Sequence, residues 1–259
     1  MLAQIVSKLF GIENSHKLEV AKANGRYSSV EKVFSLERSE IVDMVEKSGL
    51  RGKGGGGAAT GNKWRSIKHP AKGPIYLVIN GDESEPGTFK DRQIFEKDPH
   101  LLIEGIIATC YALGSHDSYI YIRGEYFFQL NRMQEAIDEA YAAGILGEKV
   151  MGHDYRLDIT LHKGGGAYIC GEKSALLESL EGKRGNPRLK PHDKNEPEWY
   201  FGNPTVVNNV ETIASVPFIV ENGAEGYRQY GTEKSPGTLL FHISGHVNKP
   251  GVTEAAFGM

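Results

Sequence analysis

Ile75-Tyr-Leu-Val-Ile-Asn-Gly-Asp-Glu-Ser-Glu-Pro-Gly87 sets an apolar run against a polar, acidic turn. Pro74 bounds the run on one side and Asn80-Gly81 on the other, which predicts a short strand buried on both faces of a parallel sheet. The turn then stands at the strand's carboxyl end, where open α/β sheets receive ligands. Its carboxylates can accept hydrogen bonds from ribose or ribityl hydroxyls, and Asn80 can both donate and accept toward a ring edge. Two other readings apply to the turn: a solvated cap on the following helix, or, more weakly, a Mg²⁺ site.

Outward from this strand, helical and strand patterns alternate. An apolar stripe of Ile41, Val42, Met44 and Val45 predicts a helix over 37–48, ended by Gly49. Helices are expected over 90–97, 99–113, 127–143 and 174–180, with strands at 119–122 and 157–161. A closing helix fits 210–220. The alternation implies an α/β fold, a Rossmann-like, mainly parallel sheet with helices on its faces. Residues 1–36 read as an irregular lead-in with a short helix near Ile5–Phe10, and 37–235 as the α/β domain. Thr238–Ser244 opens a β-rich unit over 236–259 that is too short to complete a core, so a truncated chain is expected.

Composition narrows the function. The 259 residues, 39% hydrophobic, suffice for a substantial core, and no apolar run approaches the roughly 20 residues of a membrane span. A mixed net charge of -3, without a basic stripe, argues against nucleic acid. Cys110 and Cys170 lie far apart in apolar or glycine-rich settings, so both read as small buried thiols, and this chain cannot by itself ligate an iron–sulfur cluster.

Two glycine-rich segments carry the chemistry. Arg51-Gly-Lys-Gly-Gly-Gly-Gly-Ala-Ala-Thr-Gly61 holds six glycines in eleven positions, which exposes backbone N–H groups to phosphate oxygens, with Lys53 and Lys63 as nearby charge. It lacks the Walker spacing, and a flexible linker is the plainer alternative. Gly164-Gly-Gly-Ala-Tyr-Ile-Cys-Gly-Glu172 repeats the device ahead of a helix, where amide donors and the helix dipole favour phosphate. Pro204-Thr-Val-Val-Asn-Asn-Val-Glu-Thr212 places two amide side chains at a helix start: Asn208 as a cap, Asn209 toward a ligand.

In this order, Gly52–Trp64, Asn80–Arg92, Gly166–Pro191 and Pro204–Thr212 resemble the flavoprotein subunit of NADH:quinone oxidoreductases of the complex I type, a family shared with NAD-linked hydrogenases and formate dehydrogenases. The similarity extends over roughly Arg38–Gly251. It implies FMN, with phosphate and ribityl chain held by Lys53, Lys63, Asn80, Asp82, Asn208, Asn209 and Thr212, and with Gly52, Gly54, Gly55, Gly57, Gly61, Glu83, Ser84, Lys173 and Lys190 also among the cofactor-binding residues. Tyr168, Gly171 and Glu172 would line the flavin pocket and Glu85 would face NAD(H), which makes Glu85 and Tyr168 the implied catalytic pair.

The resemblance also implies hydride transfer from NADH to the flavin, then single electrons to a [4Fe–4S] cluster whose Cys ligands and helical domain this chain lacks. Residues 236–259 resemble the first strands of the family's ubiquitin-like domain. The implied partners are a thioredoxin-like [2Fe–2S] subunit and a large iron–sulfur subunit, in the cytoplasm at the inner face of the cell membrane.

Four positions depart from the family pattern. Ala58 stands for Phe, Ser66 for an apolar or aromatic residue, His192 or Asp193 for another Phe, and Lys173 for a second Glu. Losing about three aromatic contacts weakens adenine stacking by ~3 kcal/mol, roughly a hundredfold in NADH affinity. Four outcomes follow: another donor, a 2′-phosphorylated nucleotide favoured by Lys173, compensation by His192, Trp199, Tyr200 or Phe201, or a structural subunit with a degraded nucleotide site.

Overall fold

The computed structural model describes residues 4–67, 73–189 and 199–259. Its N-terminal part corrects the expected lead-in. A 3-10 turn at Ser7–Leu9 precedes two short helices, α1 (Leu18–Ala23) and α2 (Ser29–Ser35). Both helices are started by distant carboxylates. Glu139 accepts the Leu18 N–H at 2.8 Å, while Glu104 accepts the Ser29 N–H at 3.1 Å and its hydroxyl at 2.7 Å. These acids satisfy the free donors of a helix start from far along the chain, so the local pattern carries no sign of them.

Between the two helices Tyr27, at φ +69, donates to or accepts from His100 Nδ1 at 2.6 Å. Burial pushes His100 down to about 4, so the folded arm requires a neutral imidazole. A histidine depressed in this way supports folding fully above its unfolded pKa, and the support is lost as pH falls. Thermal stability should therefore decline from about pH 6.5 toward 4, and His100→Gln should flatten that slope; identical slopes in the two proteins would contradict it.

The chain then follows the predicted alternation. α3 (Arg38–Ser48) begins where the Glu40 carboxylate accepts the Glu37 N–H at 2.8 Å and ends at left-handed Gly49. α4 (Thr60–Arg65) follows the glycine loop. Next come β1 (Tyr76–Gly81), α5 (Asp91–Lys97), α6 (Pro99–Leu113), β2 (Asp117–Ile122), α7 (Phe127–Ala142), β3 (Asp158–Lys163) and α8 (Lys173–Leu180). The closing segment is β4 (Thr205–Asn209), α9 (Val210–Ala214), α10 (Val216–Arg228) and a hairpin of β5 (Thr238–Ile243) and β6 (Gly251–Ala256). The strand β4 corrects the reading of 204–212 as a helix start: its β-branched Thr205, Val206 and Val207 pair with β1, and the helix begins only after Asn209.

The four parallel strands lie in the order β3-β2-β1-β4. Because β2 and β4 flank β1 on opposite sides, the chain reverses its winding between β1 and β4, and a crevice opens at their carboxyl ends. Register places Asn80 beside Asn209 across that crevice. Central β1 buries Leu77, Val78 and Ile79 completely, as a strand covered on both faces requires. Leu77 and Ile79 join the main core with α6, which is buried nearly all round and carries Cys110, whose thiol burial pushes up. Val78 faces a smaller cluster under α8 that contains Cys170.

Residues 236–259 were expected to begin a separate unit, but the hairpin is fixed to the α/β body. The buried Glu254 carboxylate accepts the N–H groups of Ile5, Val6 and Ser7 at 2.7–3.1 Å and the hydroxyls of Ser7 and Thr238 at 2.7 and 2.6 Å. The Leu240 N–H is donated to Glu211 at 2.9 Å.

Candidate functional site

A cavity of about 1010 Å³ opens at the β1/β4 crevice, at the upper end of ordinary ligand pockets. Its walls are the glycine loop, the turn after β1, the Tyr168–Glu172 turn, Asn209 and the hairpin.

The glycine loop is closed at its base by Gly52 N–H to Ala58 O at 2.8 Å and Thr60 N–H to Leu50 O at 2.9 Å. Gly55 (φ +100) and Gly57 (φ +61) occupy backbone regions that side chains resist, and an added Cβ at either would meet nothing within 4 Å. Gly54 lies against Asn209: a Cβ added at Gly54 would fall 3.1 Å from the Asn209 Cβ. Main chain therefore forms this wall.

The charges assigned to the loop are placed differently. Lys53 lines the cavity, but its ammonium donates to Ser215 Oγ at 2.8 Å and lies 3.4 Å from Glu211 in the core. Lys63 Nζ donates to the Val207 carbonyl at 2.9 Å and is not in the cavity wall. Thr212 supports the loop from behind, accepting the Lys53 N–H at 2.9 Å.

Gly61 belongs to α4, where a Cβ would fall 2.5 Å from Glu46 Cα on α3. It permits a close helix crossing and does not line the cavity. Gly61→Ala should destabilise the fold by ~1–3 kcal/mol through overpacking, against a helix-propensity gain of ~1 kcal/mol, and leave ligand affinity of the folded protein unchanged. Denaturant unfolding and ligand titration of that variant check both halves.

The turn after β1 divides its carboxylates among separate tasks. Asn80 Nδ2 donates to Gly171 O at 2.9 Å, tying the turn to the second glycine segment, and its Oδ1 accepts the Asp82 N–H at 3.1 Å. Burial pushes Asp82 up to about 6, against the Ser84 hydroxyl at 3.1 Å and the Arg123 charge. Glu83 accepts the N–H groups of Lys90, Asp91 and Arg92 at 2.9–3.2 Å and the Tyr126 hydroxyl at 3.1 Å, so it caps α5, but as a buried group rather than a solvated one. Glu85 accepts the Tyr168 hydroxyl at 2.5 Å. The two implied catalytic residues thus meet, with Tyr168 61% exposed at the mouth. Glu172 caps α8 through the Ser174 and Ala175 N–H groups, both at 2.9 Å. Among the described residues no group of three His, Cys, Asp or Glu side chains could hold a metal ion.

Asn208 is not the helix cap. It is a β4 residue, 2% exposed, whose Oδ1 accepts the Trp64 indole N–H at 3.1 Å while its buried Nδ2 has no partner. The cap is Asn209, whose Oδ1 accepts the Glu211 N–H at 3.0 Å, and Asn209 also lines the cavity. Lys173 begins α8, outside the cavity wall. Ala58 and Ser66 are exposed and also outside it. Lys190, His192 and Asp193 lie outside the described residues.

Sequence reading missed three groups. Lys90 and Asp91 line the cavity, and Glu211 lies fully buried behind them. Asp91 and Glu211 stand in the first turn of a helix, where an acidic residue reads as an ordinary charge, and Lys90 at the cap of α5 reads as a solvated one. The hairpin wall of Leu239, Leu240, Phe241, His242 and Phe257 was also missed, since nothing local shows where a hairpin docks.

A parallel sheet with a main-chain cradle at its switch point defines a nucleotide-binding α/β protein. The chain belongs to the family described as the Nuo51 FMN-binding domain, which matches residues 45–218. It is 52% identical to the F subunit of the NADH-quinone oxidoreductase of Aquifex aeolicus over 92% of this chain and 56% of that protein. It is 48% identical to the corresponding F subunit of Streptomyces coelicolor over 100% of this chain and 58% of that protein. An NAD+-reducing [NiFe]-hydrogenase in the H2-reduced state superposes with a TM-score of 0.78 at 40% identity, over 88% of this chain and 39% of the hydrogenase chain. The chain spans 56–62% of the length of the curated relatives it matches. Among the described residues no helix is long and apolar enough to cross a membrane.

Proposed function

We propose that this chain binds FMN and forms the electron-entry part of an NADH-oxidising protein of the same kind as these relatives. Asn80 and Asn209, side by side at the switch point with the glycine main chain against Asn209, carry the reading. The three walls suit three parts of the ligand. Glycine N–H groups suit the phosphate, the Asn80–Asp82 side accepts ribityl hydroxyls, and the apolar hairpin covers a ring. Bound FMN supplies the exchange between a two-electron donor and one-electron acceptors. The chain's residues position it: Asn80 fixes one loop to the other, and Tyr168 and Glu85 meet the incoming nicotinamide nucleotide at the mouth. Electrons then leave to iron–sulfur partners, a thioredoxin-like [2Fe–2S] subunit and a larger iron–sulfur subunit, with the assembly at the inner face of the cell membrane. The [4Fe–4S] cluster that the resemblance implies finds no cysteine ligand set among these residues.

A second reading concerns the donor. Ala58, Ser66 and Lys173 leave the adenine end of the nucleotide without aromatic cover, which favours weak NADH binding or a 2′-phosphorylated donor. Titrating flavin-free protein with FMN tests the first reading, through one bound yellow flavin per chain; a protein that refuses FMN overturns it. Titrating the loaded protein with NADH and NADPH tests the second, and rapid bleaching at micromolar NADH rejects it.

Tyr168→Phe should change stability by less than ~0.5 kcal/mol, because the hydroxyl sits at an exposed rim. The same change should slow flavin reduction by NADH about tenfold, the effect of one lost hydrogen bond to a charged group. Stopped-flow bleaching at unchanged FMN content checks it.

A further inference from the structure

The cavity floor beneath Asn209 is a continuous run of buried charge. Asp91, 3% exposed, accepts from Asn209 Nδ2 at 2.7 Å and from Lys90 Nζ at 2.6 Å. Lys90 Nζ also lies 3.0 Å from Glu211 and 3.3 Å from Asn209 Oδ1. Glu211 in turn lies 3.4 Å from the Lys53 ammonium. Glu83, from the turn after β1, adds a third carboxylate facing Asp91, and His242, from β5, is kept neutral by burial.

Fully ionised, this floor sets three carboxylates against two ammoniums. An unbalanced buried charge is expensive, and protonating one carboxylate removes it. The three differ in support. Glu211 has two ammoniums and the Leu240 N–H, and Glu83 has three α5 N–H groups and the Tyr126 hydroxyl. Asp91 has one ammonium and one amide. Burial, with Glu83 and Glu211, outweighs Lys90 and pushes Asp91 up to about 7.

We propose that Asp91 is a proton-accepting positioning residue of the cavity: when an anionic ligand such as FMN settles against Asn209, Asp91 draws on solvent until its carboxyl is fully protonated. The proposal rests on the FMN reading above. An O–H bond forms on Asp91 and the buffer gives up the proton, which offsets at most one of the roughly two negative charges that a phosphate monoester carries near pH 7. Filling the cavity also displaces water, and desolvation and ligand charge both drive a carboxyl toward its protonated form. Protonation loosens Lys90 from Asp91 and leaves its ammonium shared between Glu211 and the cavity.

The test is calorimetric titration of the flavin-free protein with FMN, in buffers of different ionisation enthalpy, for wild type and Asp91→Asn. FMN's own phosphate contributes equally to both and cancels in the difference. At pH 7 wild type should take up about half a proton more than the variant, because an acid with a pKa near 7 is half protonated beforehand. The difference should vanish well below pH 7, where Asp91 already carries its proton. Equal proton counts at pH 7 overturn the proposal while leaving FMN binding intact; failure of wild type to bind FMN overturns the flavin reading itself. Should Asp91→Asn not fold, the infrared difference spectrum of wild type with and without FMN decides: a new protonated-carboxyl C=O band supports the assignment, and its absence refutes it.

Discussion

Glu211→Ala should lower folding stability by about 3–5 kcal/mol, a large share of the 5–15 kcal/mol that ordinarily separates folded from unfolded protein. The substitution leaves two buried ammoniums, Lys53 and Lys90, facing each other without the carboxylate between them, and it orphans the Leu240 N–H. Breaking a buried ion network by removing one member costs far more than its net worth, because the remaining charges keep their desolvation penalty. For a chain of this size the melting temperature should fall by roughly 6–20 °C. Adding Lys53→Met should restore part of the loss, since it removes one stranded charge. A loss below ~1 kcal/mol in denaturant unfolding would show that water reaches the network. The pH response has a definite sign. Burial raises the Glu211 pKa, but Lys90 and Lys53 overcome it and hold the carboxyl below its ordinary value of 4.5. Its contribution is therefore present above the unfolded pKa and lost as pH falls, so Glu211→Ala should flatten the acid side of the stability profile.

Glu254→Ala is the second large effect, about 3 kcal/mol or more. One carboxylate satisfies three N–H groups and two hydroxyls, and hydrogen bonds to a charged acceptor contribute ~1.5–3 kcal/mol each, though not additively. Glu254→Gln should recover little, because one amide oxygen cannot replace two charged oxygens that face only donors. The hairpin also forms one cavity wall, so FMN should dissociate faster from Glu254→Ala than from wild type. Unchanged flavin retention in a destabilised variant would separate the wall's position from the clasp.

The α/β class was legible because it rests on local periodicity: the run after Pro74, the stripe of α3 and the long apolar α6 each fall within a residue or two of the reading. β4 was not, because five residues are too few to show a period and Asn208-Asn209 invited a helix-start reading. The glycine loop could be recognised as a main-chain wall, since four successive glycines carry no side chains and adopt positive φ, as Gly55 and Gly57 do, at little cost. Where Lys53 and Lys63 would point could not, because a long side chain turns toward whatever partner the fold supplies, here Glu211 with Ser215 in one case and the Val207 carbonyl in the other. The charged floor escaped for the same reason: Lys90, Asp91 and Glu211 become one network only when β1 and β4 lie side by side.

The Glu254 clasp joins residues 247–249 positions apart. During synthesis, at 5–20 residues per second, the first turn waits roughly 12–50 s for its acceptor to emerge from the ribosome. Ile5, Val6 and Ser7 therefore leave the ribosome well before the carboxylate that holds them. A nascent chain stopped anywhere before Glu254 should leave its N-terminal turn open to proteases after the central sheet has closed.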